Sequence, residues 1–182
     1  MVNYGHDSLV DIYGIDGAWL HAKTLDDYLI TRVTVEHRDY DEGVDPNNDR
    51  DSIYMRVGET WKHFFENRRN TISLSADIFT ENARLDSNSN NGFRLGIAGE
   101  RELAGGVIAY ATGRFRLTNY EDAKVGRSER EDERWDLIVG ARRRITEHCT
   151  LDLRHQYVRN DSNIAASDYN RHRSSLAAVF DF

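Results

Sequence analysis

The chain holds almost no lysine, proline or cysteine, and it has no long apolar run. No stretch approaches the roughly 18 apolar residues that a transmembrane helix needs, so a helical span is excluded. A membrane strand is not excluded, because it needs only alternate residues apolar. The one cysteine, Cys149, rules out an internal disulfide framework. The one proline, Pro46, suits a chain of paired strands, since proline removes a ladder donor. Lysine occurs only at Lys23, Lys62 and Lys124, so nearly every cation is an arginine. Arginine is favoured where a cation must hold several fixed hydrogen bonds. The opening residues Met1–His6 lack the basic and apolar segments of a secretory signal. The expectation is a chain that has lost its leader or forms part of a longer one. Net charge is -7 with a pI near 5.5, which argues against a nucleic-acid partner.

What the chain does have is period-two alternation from end to end. Leu29, Thr31, Val33 and Val35 oppose Arg32, Thr34, Glu36 and Arg38. Ile72, Leu74, Ala76 and Ile78 oppose Ser73, Ser75, Asp77 and Glu81. Phe93, Leu95 and Ile97 oppose Arg94 and Glu100, and Val107, Ala109, Ala111, Phe115 and Leu117 oppose Tyr110, Thr112, Arg114 and Arg116. Trp135, Leu137, Val139 and Ala141 oppose Asp136, Arg142 and Arg144, and Leu151 and Leu153 oppose Asp152 and Arg154. Residues 53–65 alternate less cleanly, and residues 11–23 form a fainter strand. The last residues alternate again: Leu176, Ala178, Phe180 and Phe182 share a face.

The connections alternate in length. Those near Thr24–Asp27, Glu66–Asn70, Arg101–Gly106 and Thr146–His148 are short. Those at Asp39–Ser52, Asp86–Gly92, Asn119–Glu133 and Arg159–Asn170 are long and polar. Short turns at one end and long loops at the other describe an antiparallel meander and are typical of outer-membrane barrels. Nine strands follow Ser8. The reading is one all-β domain over residues 1–182: an up-and-down antiparallel transmembrane β-barrel of about nine or ten strands, or the C-terminal part of a larger barrel, incomplete at its N-terminus.

A soluble barrel buries its apolar face, whereas a membrane barrel turns it to lipid. Three features favour lipid. The polar face gathers Arg32, Arg56, Arg94, Arg114, Arg116, Arg142, Arg144 and Arg154 with Glu36, Asp77, Glu81, Asp136 and Asp152, the expected lining of a lumen. Aromatics gather near strand ends, with Trp19, Tyr28, Trp61, Phe65, Phe180 and Phe182 at the short-turn end and Tyr54, Phe93, Phe115, Trp135 and Tyr157 towards the other. The closing strand ends on Phe182, and Leu176, Phe180 and Phe182 are read as a signal to the barrel assembly machinery. Glu59 and Arg143 fall on the apolar face. Arg143 lies near a strand end, where it can snorkel. A register-shifting bulge, or a partner against this stretch, would remove the conflict at Glu59.

The run Leu151–Asn163, then Asp168-Tyr169-Asn170-Arg171-His172 and the closing strand, resembles the end of the β-barrel porin 2 family. The shared pattern is a tyrosine strand, an Arg-Asn-Asp-Ser-Asn loop, a Tyr-x-Arg return and a final strand ending in phenylalanine. The resemblance implies a Gram-negative outer-membrane barrel in transport or in export of polysaccharide. It carries over no catalytic residue.

Chemical motifs are sparse. The seven histidines show no metal spacing, and there is no G-x-S-x-G, P-loop or G-x-G-x-x-G. Asp152, His155 and Ser174 suggest a triad only on paper, since Asp152 and His155 face opposite sides of a regular strand. The acidic loop with Asp39, Asp41, Glu42, Asp45, Asp49 and Asp51 could attract Ca²⁺ but lacks a full ligand pattern, and a solvated loop is the blander reading. No enzyme activity, cofactor or metal is expected. The expected function is a porin-like or export channel, with arginines drawing anionic solutes. The alternatives are a plugged outer-membrane scaffold holding a partner and a soluble ligand-binding barrel. The expected partners are outer-membrane lipid and lipopolysaccharide, the assembly machinery, and other chains or an N-terminal portion completing the barrel.

Overall fold

The computed structural model describes residues 10–40, 51–84, 88–121 and 129–180. These form one sheet of nine antiparallel strands in sequence order. The strands are β1 (Val10–Ala22), β2 (Asp27–Tyr40), β3 (Ser52–Phe65), β4 (Asn70–Ala83), β5 (Asn90–Glu102), β6 (Val107–Tyr120), β7 (Arg130–Thr146), β8 (Cys149–Ser162) and β9 (Tyr169–Phe180). Among the described residues there is no α-helix, and the sheet is not closed: β1 and β9 are its two edges. With nine strands, the two edge strands run in the same direction.

Each hairpin is set by local chemistry. At the β1–β2 turn, Thr24 Oγ1 accepts from the backbone N–H groups of Asp26 and Asp27 at 3.2 and 3.0 Å. The β5–β6 turn uses Gly105 and Gly106, at φ 75° and 72°, where only glycine is unstrained. The β3–β4 turn runs left-handed through Glu66, Asn67 and Arg68 without any glycine. Asn70 Nδ2 braces it by donating to Glu66 Oε2 at 2.6 Å.

Pairing is regular throughout, with one register shift, between Arg144 and Thr146. In particular, β3 pairs with β2 and β4 without interruption. The segment that alternates least cleanly in sequence is therefore an ordinary strand. No bulge rescues Glu59, which stays on the apolar face between Thr31 and Ala76.

The apolar face is the exposed one. Ile78 is 67% exposed, Leu153 59% and Leu176 72%. The polar face is the sheltered one. Its members Thr34, Thr118, Asp132 and Asn160 are buried, and so are the few buried apolar side chains, Tyr54, Phe79 and Val158. No large side chain is fully buried among the described residues, so there is no oily core of the ordinary kind.

Hydrogen bonds show the sense of curvature. Arg38 on β2 reaches Glu81 on β4 at 3.1 Å, and Arg94 on β5 reaches Tyr54 on β3 at 3.1 Å. Tyr110 on β6 reaches Asp152 on β8 at 2.7 Å, and Arg142 on β7 reaches Glu100 on β5 at 2.9 Å. Alternate strands lie about 9.6 Å apart in a flat sheet. Side chains that meet across that gap on one face make that face concave.

Candidate functional site

The concave face encloses a trough of about 710 Å³ between β2 and β7. Seven cations line it: Arg32, Arg56, Lys62, Arg94, Arg114, Arg116 and Arg134. The carboxylates beside them are Asp77 and Asp136, with Asp16 reaching in from β1. In a chain of net charge -7, this is a local surplus of the opposite sign.

Register explains the surplus. Arg94, Arg116 and Arg134 are direct partners on β5, β6 and β7, so three arginines stand abreast in the ladder. Like charges directly opposite one another in a sheet are destabilising. Arg56 shares their depth: each of the four lies four residues inside the long-loop end of its strand, at Ser52, Asn90, Tyr120 and Arg130. That depth is about 13 Å along the strand.

The partners of these arginines are unequal. Arg94 Nε pairs with Asp77 Oδ1 at 2.6 Å. Arg56 donates to Thr34 Oγ1 at 3.0 Å and lies 3.9 Å from Asp16. Arg134 is 3.8 Å from Asp136, whose two oxygens also accept from Gln156 Nε2 at 2.9 and 3.1 Å. Arg116 has no carboxylate in ion-pair reach among the described residues. Its Nε donates to Thr118 Oγ1 at 3.0 Å, and its guanidinium lies over the Phe79 ring at 4.3 Å. Arg114 makes neither a hydrogen bond nor an ion pair among the described residues.

At the two ends of the concave face, ion pairs to carboxylates recur. At the long-loop end, Arg38 bridges Glu36 at 2.8 Å and Glu81 at 3.1 Å and lies 4.0 Å over the Tyr54 ring. Arg130 binds Asp132 through two nitrogens at 2.9 and 2.5 Å. Towards the short turns, Arg142 pairs with Glu100, and Tyr110 binds Asp152. Tyr110 gets there across Gly140, where an added Cβ would fall 2.4 Å from the ring.

All thirteen lining residues expected from sequence fall on this polar face by register. Arg32, Arg56, Arg94, Arg114, Arg116, Asp77 and Asp136 border the trough. Glu36 and Glu81 stand at the long-loop rim, while Arg142, Asp152 and Arg154 lie nearer the short turns. Arg144 is exposed and turns back to the carbonyls of Thr146 and Glu147. Sequence reasoning passed over Arg134 and Asp16. Arg134 lies two residues before Asp136 and so shares its face, a signal missed by starting that strand at Trp135.

Two aromatics placed in the outer girdles belong elsewhere. Tyr54 is buried on the concave face, stacked on Phe79 at 6.2 Å. Tyr28 also points inward, edge-on to Phe64. The outer face keeps Phe93, Phe115 and Trp135 as a row with centroids 5.8 and 4.7 Å apart. It also keeps Trp61, stacked on His63, which stacks on Phe65. Leu176 and Phe180 face outward on β9. Phe182 and most of the acidic loop after Asp39 lie outside the described residues.

His155 Nδ1 and Ser174 Oγ meet at 2.8 Å on the outer face. Asp152 is on the concave face with Tyr110, so the three do not assemble. Among the described residues, no group of His, Cys, Asp and Glu converges as metal ligands. No family model, curated protein or solved structure matches the chain.

Proposed function

We propose that this chain forms the wall of a bacterial outer-membrane β-barrel that works as a porin-like or export channel, its concave face lining the passage. The observation that carries this reading is the inverted distribution of polarity. An exposed, continuous apolar face of this extent is a liability in water and an asset in lipid. Strands of 12 to 17 residues exceed the roughly 9–11 that a tilted transmembrane strand requires. The outer aromatic rows fit the two interfaces, with the short turns on the periplasmic side.

Closure needs more than this sheet. In lipid, the unpaired edges of β1 and β9 require partners. Because these strands run in the same direction, antiparallel closure takes an odd number of further strands between them. A wider barrel of that kind leaves room for an aqueous lumen, whereas a barrel of about eight strands fills with side chains.

The test is conductance. Full-length protein folded in detergent is inserted into planar bilayers under a KCl gradient. The expected result is discrete steps with a reversal potential of anion-selective sign. A folded protein that inserts without current ends the channel reading and leaves an outer-membrane scaffold. A monodisperse, folded chain in plain buffer removes both and leaves a soluble barrel.

A further inference from the structure

The charge pattern of the concave face is not the one a merely self-neutralising interior would show. At the rim, Arg38 sits between Glu36 and Glu81, and towards the short turns Arg142 meets Glu100. There, Arg38 and Arg142 each have a carboxylate, while Arg154 makes no ion pair among the described residues. The belt differs in its crowding of like charge. Three arginines on neighbouring strands face one another, and the central one, Arg116, is held among the described residues by a hydroxyl and an aromatic ring alone.

We infer that the belt of Arg94, Arg116 and Arg134 binds a multivalent oxyanion: a solute with two or more phosphate or carboxylate groups. This rests on the channel reading for its setting and names the class of solute. The geometry sets the valence. Three arginines on successive strands have backbone positions that span two strand spacings, about 9.6 Å. A single chloride meets one of them; a solute with linked oxyanions meets two or three. Each guanidinium fork matches a phosphate or carboxylate in two parallel bonds. The Phe79 ring under Arg116, and also 5.4 Å from Arg94, holds the forks in place, so little order is lost on binding. The trough of about 710 Å³ is large enough for such a solute.

The experiment is calorimetric titration of the full chain in zwitterionic detergent with tripolyphosphate, trigalacturonate and neutral maltotriose. At least one of the two anions binds, with affinity that falls as salt rises, and maltotriose does not. Which anion binds more tightly selects phosphate or carboxylate within the class. R116L and R134Q weaken the anion about tenfold or more. R116L also unfolds no earlier on heating, since it relieves two opposed pairs of like charges. The rim variant R38M unfolds earlier and keeps its affinity. The inference is overturned if neither anion binds better than maltotriose, or if both belt variants bind undiminished. It is equally overturned if R116L loses stability and keeps affinity, which makes the row structural. Ion current without anion binding defeats this inference and spares the channel; binding without current does the reverse.

Discussion

Glu59 offers the sharpest perturbation, because its effect changes with the solvent outside the sheet. It lies mid-strand on β3, seven residues from Ser52 and six from Phe65, and it is exposed on the apolar face. Its one hydrogen bond among the described residues is from Thr31 Oγ1, 3.5 Å away on β2. If that face meets water, replacing the carboxylate with leucine changes stability by about 0.5 kcal/mol or less. If it meets lipid, the carboxylate costs about 1–3 kcal/mol where it stands, somewhat less than a basic residue at the same depth. Leucine removes that cost and adds about 1–2 kcal/mol of apolar transfer. The expected gain for E59L is therefore about 2–5 kcal/mol in lipid. The reciprocal change is I78K. Ile78 is 67% exposed on β4, directly between Val57 and Phe93. Lysine there loses about 2–4 kcal/mol in lipid and almost nothing in water. The assay is reversible urea unfolding from phosphatidylcholine vesicles, followed by tryptophan fluorescence. An E59L protein no more stable than the parent, or an I78K protein within about 0.5 kcal/mol of it, refutes the claim that this face is in lipid.

Removing the rim cation by R38M leaves Glu36 and Glu81 facing each other without their bridge and uncovers the Tyr54 ring; a loss of about 1–3 kcal/mol is expected in the same unfolding assay. G140A places a methyl group where the Tyr110 ring crosses, so the Tyr110–Asp152 hydrogen bond breaks. The check is a Y110F/G140A pair: once the hydroxyl is gone, the glycine substitution costs less than it does alone. In bilayers, exchanging Arg94 and Arg134 for glutamine shifts the reversal potential towards cation selectivity. An unchanged potential takes these two arginines off the ion path.

The strands were legible in sequence because side chains alternate by steric necessity, and a run such as Leu29 to Arg38 can satisfy that alternation in only two ways. The girdle expectation fails at Tyr54 for an equally physical reason. An aromatic residue on the polar parity of a strand is unexpected until an arginine from another strand covers it, as Arg38 and Arg116 do. A bulge at Glu59 would turn its charge off the apolar face; uninterrupted ladders on both sides of β3 leave it there.

The sequence by itself determined the elements, their number and order, and which residues share a face, since all of these follow from the local period and from turn chemistry. Only the tertiary structure decided which face is concave, that Arg94, Arg116 and Arg134 stand abreast in the ladder, and that Arg116 has no carboxylate partner among the described residues. Those depend on register between strands and on contacts across strands two apart. Ladder pairing sets such contacts between residues distant in sequence, and the alternation within one strand does not contain them.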